Sequence, residues 1–384
     1  MSLIRTVMQK ILFSILVCSV FASEACAGLM FNLTDRGGAA PASQARAGFQ
    51  AAADFWSSKF SDNITVNLDI GFTTLGAGIL GSSGSENEVY SYSQFRAAIA
   101  SDITSADDAT FSAGLPGGSS FNPYINRTSN NPNGSGSATG YLDNDGDANN
   151  TQVRINRATA KALGLLSGVT ALADASITFS SLFSFDFDRT NGITAGTFDF
   201  VGVAIHEIGH ALGFVSGVDI LDINSPPANV NGPFADNLFN YVSPLDFTRF
   251  SAESQTAGAD LDWTADSRAK YFSVDGGTTS VLDNAWSLGK NFGDGQQASH
   301  WKDNRGIGIM DPTFASGELG VVSNLDLRAL DAIGFNLSSV TAVPEPASVG
   351  LLALGSLTLG FMHRRKRRAG CRPVTSDRTR DENP

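Results

Sequence analysis

Cysteine is almost missing from this 384-residue chain: Cys18, Cys26 and Cys371 are the only three, and all lie near the ends. The stretch from Gly28 to Val343 therefore holds no disulfide and no thiolate metal site. It must rest on its core, on bound metal, or on both. Charge is sparse as well, at 17% of residues, and positive charge is the sparser kind. Between Gly28 and Val343 there are 33 acidic and 16 basic residues, a net charge of −17. A body so acidic lacks the clustered Lys and Arg that a nucleic-acid-binding face requires. It suits a soluble exported protein and is compatible with calcium. Histidine is rare too: His206, His210, His300 and His363 are all there are. No fixed-period repeat is present.

Both ends read as addresses. Residues 1–27 have the order of a signal peptide: Arg5 and Lys10, an apolar stretch from Ile11 to Ala22, then Ala25-Cys26-Ala27 as a small-residue cleavage site. At the other end, Val343-Pro344-Glu345-Pro346 is followed by an apolar run from Ala347 to Met362 and by Arg364-Arg365-Lys366-Arg367-Arg368. The run is short for a bilayer span of about 20 residues, and its basic flank belongs on the cytoplasmic side. This order resembles the PEP-CTERM sorting tail of Gram-negative bacteria. The resemblance implies recognition and removal by an exosortase-type enzyme, transient membrane contact through the tail, and delivery to the cell surface or extracellular matrix. The alternative is a plain C-terminal anchor. The expected division is 1–27 signal peptide, 28–342 one domain, 343–368 sorting tail and 369–384 a further tail.

Within the body, Ser43 is placed to cap a helix over Pro41–Phe60, with Phe49, Ala53 and Trp56 on one face. Asn63–Thr74 alternates as a strand, with Ile64, Val66, Leu68 and Ile70 to one side. Gly76–Ser85 is rich in Gly and Ser, and 113–140 reads as a long surface loop. Helices are expected over Ser91–Ser101, Arg154–Leu166 and Asn324–Ile333. Ala175–Phe187 has period two, broken at Ser181-Leu182, and reads as one or two strands. Ser216–Arg249 reads as loop. Asp143, Asp145 and Asp147 set oxygen ligands at alternate positions, as a calcium loop does. The glycine, Gly146, is out of its EF-hand place, and an Asx-rich turn is the competing reading.

Phe198, Val201, Ile205, Ile208 and Leu212 step by three and four, which is helical spacing, and Gly213 is suited to ending that helix. On this helix lies His206-Glu207-Ile208-Gly209-His210. Residues four apart share a face, so both imidazoles can grip one metal ion while Glu207 stands beside it. This is the HExxH arrangement of zinc peptidases, in which the glutamate is the general base. A catalytic zinc takes three protein ligands. His363 lies in the basic tail, which leaves His300, with Asp219, Glu253 and Glu318 as alternatives. Ser216, where many such enzymes carry the third ligand, is a poor one.

The group Ala298-Ser299-His300-Trp301-Lys302 and then Gly308-Ile309-Met310-Asp311-Pro312, together with His206–Gly213, resembles the metzincin peptidases. Leishmanolysin-type members draw their third histidine from far downstream, ahead of a methionine turn, and His300 and Met310 look like that pair. The resemblance covers roughly Phe198 to Phe335. It implies an α+β fold of the zincin type, with a twisted sheet and helices above a cleft and a smaller lower subdomain. It also implies zinc on His206, His210 and His300, Glu207 as the catalytic base, and a peptide or protein substrate. No motif favours Tyr241 over Tyr271 as a second stabiliser of the reacting oxygen. The rival expectations are a surface or matrix protein whose fold only binds, and a zinc hydrolase acting on something other than peptides. The intact Glu207 favours the enzyme.

Overall fold

The core is built on one mixed sheet and the helix that carries the histidine pair. The structure is a computed structural model and describes residues 28–338. The expected signal peptide and the sorting tail, with His363, lie outside the described residues. Four strands form the main sheet: β1 (Met30–Asp35), β2 (Thr65–Thr73), β3 (Gly81–Ser85) and β4 (Ala175–Ser180). Their order is β1-β2-β4-β3, with β1, β2 and β4 parallel and β3 antiparallel at the edge. The alternation in β2 buries Val66, Leu68 and Ile70, as period two requires.

Two helices pack on this sheet. Helix α1 (Gln44–Ser57) starts at Ser43, whose hydroxyl accepts from Arg46 N, as the sequence leads one to expect. Helix α2 (Phe200–Leu212) is buried along its whole length. The two come so close at Gly48 that an added Cβ would sit 2.3 Å from the Phe200 ring. Phe49, Phe179 and Phe200 form an aromatic knot between sheet and helices, with centroids 4.7–5.2 Å apart. Trp56 Nε1 donates to Ile205 O at 3.0 Å, which locks α1 to the turn of α2 just before His206.

The ends of α2 fix its register. Asp199 caps the start, accepting from Gly202 N at 2.9 Å, a cap that contributes about 1 kcal/mol. Its other oxygen accepts from Gly320 N and pairs with Arg189. At the far end Gly213 takes φ 118°, a conformation that favours glycine, and a Cβ there would lie 2.3 Å from Thr159 Oγ1.

The expectations for Arg154–Leu166 and Ser216–Arg249 need correction. Gly81–Ser85 is a strand, because β4 supplies the pairing that Gly and Ser do not favour by themselves. Arg154–Leu166 is not one helix: Gln152–Asn156 is a strand paired with Asn87–Ser91, and the helix is only Arg157–Ala162. Ser216–Arg249 contains the helix Val218–Asn224. Ala175–Phe187 is two strands, Ala175–Ser180 and Phe185–Asp186, parted at the Ser181-Leu182 break. The last helix, α3 (Asn324–Ala332), falls where expected. The fold class is thus α+β, with one main sheet and several small ones. Among the described residues no helix is long and apolar enough to cross a membrane.

Where α3 meets the bottom of the molecule, Asp62, Asp102 and Asp331 gather around Asn336 and Ser105. Burial pushes Asp102 up to about 7 and Asp62 and Asp331 up to about 6, and the carboxylates repel one another, with Asp108 adding to the field. A pKa raised by folding contributes stability at low pH and loses it as pH rises through the folded value. Asp102→Asn is therefore expected to raise Tm at about pH 8, where it removes a half-buried charge. The gain should shrink as pH falls and vanish only below about 4, where the carboxyl is protonated in the unfolded chain as well. Thermal melts of both proteins across that range check it; an equal gain at both pH values would refute the assignment.

Candidate metal centre

His206 and His210 project from one face of α2, and His300 reaches the same point from a loop 90 residues on. The Nε2 atoms of His206 and His300 each lie 3.1 Å from His210 Nε2. Every ring is oriented through its other nitrogen: His206 Nδ1 donates to Ile309 O at 2.8 Å, His210 Nδ1 to Phe214 O at 2.7 Å and His300 Nδ1 to Gln297 O at 3.2 Å. With Nδ1 carrying the proton, each Nε2 offers a lone pair, and the three lone pairs converge. Burial pushes His300 down to about 3 and His210 well below the usual range, and the neighbouring imidazoles push the same way. Three neutral imidazoles with facing lone pairs repel unless a cation stands between them. Two nitrogens on a tetrahedral zinc lie about 3.3 Å apart, close to the spacing seen. The donor set and its spacing therefore fit zinc.

The lower wall of the site is held by carboxylates the sequence did not assign to that work. Asp219 does not join the three-histidine group. It accepts from Ala298 N at 2.7 Å and from Ser299 N and Oγ at 3.2 and 2.5 Å, and so fastens the loop that presents His300. Buried Asp326, on α3, accepts from Trp301 Nε1, Ile309 N and Met310 N at 2.8, 3.0 and 3.3 Å. One side chain thereby braces the residue after His300, the carbonyl that orients His206, and Met310. Met310 is fully buried under α2. A Cβ on Gly209 would lie 2.5 Å from its sulfur, so the thioether fills the space that glycine leaves. Ser216 donates to Asp246 at 2.5 Å and receives nothing from the histidines. Glu253 pairs with Arg268, and Glu318 accepts from Ala315 N; neither belongs to the three-histidine group.

Glu207 points into a cleft of about 580 Å³ that the three histidines also line. It is 8% exposed, and burial raises its pKa against the opposing pull of His206 and a Ser83 hydrogen bond. A cation at the histidines would draw it back down. The cleft runs from edge strand β3 above to Ser216, Gly217 and Tyr241 below, with Arg154 and Lys290 on its walls. Arg154 lies over the Tyr241 ring at 4.0 Å and bonds Asn87 and Asn240 O. Tyr271 bonds Gly277 O instead and is absent from the lining, so of the two tyrosines Tyr241 is the one at the site.

The acidic loop is a separate group. Asp143 and Asp145 come together with Asp236, not with Asp147. Asp147 instead caps the short helix Ala148–Thr151 by accepting from Asn149 N. Asp236 is 93 residues away from Asp143, a distance that no local ligand pattern reaches.

Searches of the curated proteins and of the solved structures find no match. Residues 342–368 match the PEP-CTERM protein-sorting motif. The chain therefore carries the sorting signal of an exported, membrane-sorted protein of Gram-negative bacteria, read by an exosortase-type enzyme.

Proposed function

We propose that this chain is an exported zinc-dependent endopeptidase of metzincin type with a zincin-like fold. The observation that carries the reading is the convergence of three buried Nε2 lone pairs, with Glu207 beside them in an open cleft. Zinc on His206, His210 and His300 would supply Lewis acidity, lowering the pKa of a water and polarising a substrate carbonyl. Glu207 would be the carboxylate that accepts a proton from an attacking water and returns it to the leaving amine. The edge strand β3 leaves one row of backbone groups unpaired along the cleft, and an extended peptide can add to it as a further strand. Its Gly and Ser residues carry little or no side chain, which leaves that approach uncrowded. A peptide is the substrate that such an edge selects, which separates this reading from a hydrolase of other esters or amides.

Purified protein is expected to contain one zinc per chain and to cleave casein. Removal of zinc by 1,10-phenanthroline should abolish cleavage, and added zinc should restore it. Casein cleavage that persists in metal-free protein would refute the proposal.

A further inference from the structure

The second acidic group is built differently from a solvated surface patch. Asp143 and Asp236 are 3% and 2% exposed, Asp145 is exposed, and one carboxylate oxygen from each lies within 4.8 Å of the others. The charges that bear on Asp143 all come from carboxylates: Asp236, Asp145 and Asp147. Two buried carboxylates side by side without a cation are costly to fold.

A second observation points to what resolves this. Asn149 is 1% exposed, and its Oδ1 has no hydrogen-bond partner. The same carboxamide touches the group, since its Nδ2 donates to Asp143 Oδ2 at 2.6 Å. Oxygen and nitrogen of a carboxamide exchange places on a half-turn. Turned over, Asn149 sets its oxygen against Asp143, an arrangement that repels without a cation and ligates with one. The neighbouring Asn150 fastens the loop beneath, its Nδ2 donating to Asp143 O and Phe121 O. Gly146, at φ 79°, makes the turn that brings Asp145 round.

We propose that Asp143, Asp145 and Asp236, completed by the Asn149 side-chain oxygen, bind one calcium ion. All the donors are hard oxygens, with no histidine among them, which selects calcium over zinc. Their irregular loop setting suits the flexible coordination of calcium better than the strict octahedron of magnesium. The ion would join two distant stretches of chain, the 143–149 loop and the segment around Asp236. Asp236 is already held by Tyr141 Oη at 2.8 Å and Asn130 Nδ2 at 2.5 Å. Five residues beyond Asp236 the chain reaches Tyr241 and then Ser243, which line the cleft. Calcium would therefore order one wall of the cleft from outside it.

The test uses the full chain loaded with zinc and titrated with CaCl2. Calorimetry should give one calcium per chain with a Kd of about 10⁻⁴ M, typical of extracellular sites. Tm should rise by roughly 2–4 °C for each tenfold excess over that Kd. Terbium should give luminescence sensitised through nearby Tyr141. Asp145→Asn, exposed and so harmless to folding, should weaken calcium by roughly tenfold, and Asp236→Asn should do likewise, with zinc content unchanged in both. Asp147→Asn should bind as wild type does. No calcium uptake by wild type at roughly 10 mM, or unaltered affinity in both Asp145→Asn and Asp236→Asn, would overturn the site. Equal stabilisation by magnesium would overturn its identity as a calcium site.

Discussion

Glu207→Gln is expected to lower kcat/KM for peptide cleavage by about 10²–10⁴-fold, the range for loss of a general base, while zinc content stays at that of wild type. Glutamine matches glutamate in size and keeps an oxygen able to accept from Ser83, so the cleft wall is undisturbed. It removes only the group that can take a proton. The carboxylate is not one of the converging ligands, whose three rings are each oriented by a backbone carbonyl. Metal affinity therefore should not follow activity. Folding should not suffer either, since the substitution removes a buried ionisable group whose pKa burial raises. Assays of peptide cleavage, zinc by elemental analysis and thermal melting separate the three effects. A variant that retained full activity would exclude Glu207 as the base, and one that lost its zinc would make the residue structural.

The helix of this site was readable because several local signals agree there. Period 3.6 and Gly213 at the end both indicate one helix, and the structure adds Asp199 as its cap. Strand β2 was readable for the same reason, its alternation being strict. The upper wall of the cleft was not, because β3 has only Gly and Ser and forms through its partner. Arg154–Asn156 falls within the helix expected over Arg154–Leu166, yet pairing of Gln152–Asn156 with Asn87–Ser91 makes it strand. Long-range roles divide similarly. His300 could be found because histidine is so rare that a census points to it. Asp236 and Asp326 could not, since the body holds 33 acidic residues and nothing local distinguishes these two. Asp219 drew notice as a ligand because it lies near the helix; geometry makes it a brace.

That difference in role can be measured, and it yields the other large effect. His300→Ala should remove one of three nitrogen ligands and leave a protein that no longer retains zinc through dialysis, with peptide cleavage lost accordingly. Asp219→Asn should keep all three histidines. It loosens the loop that carries Ser299 and His300, and a supporting residue of that kind costs about 10–100-fold in metal affinity. Asparagine's single oxygen can accept from Ala298 N or from Ser299, which bond opposite carboxylate oxygens, but not from both, so part of the brace is lost. The order of effects, His300→Ala far above Asp219→Asn, follows from which atoms face the other two Nε2 groups and which face the loop backbone. Zinc competition titrations on both variants give that order directly. If Asp219→Asn lost zinc outright while His300→Ala kept it, the carboxylate would be the third ligand. The 3.1 Å approach of His300 Nε2 to His210 Nε2 would then be packing alone. The backbone bonds to Asp219 argue against that outcome, because a carboxylate already accepting three hydrogen bonds from the loop has little capacity left for a metal.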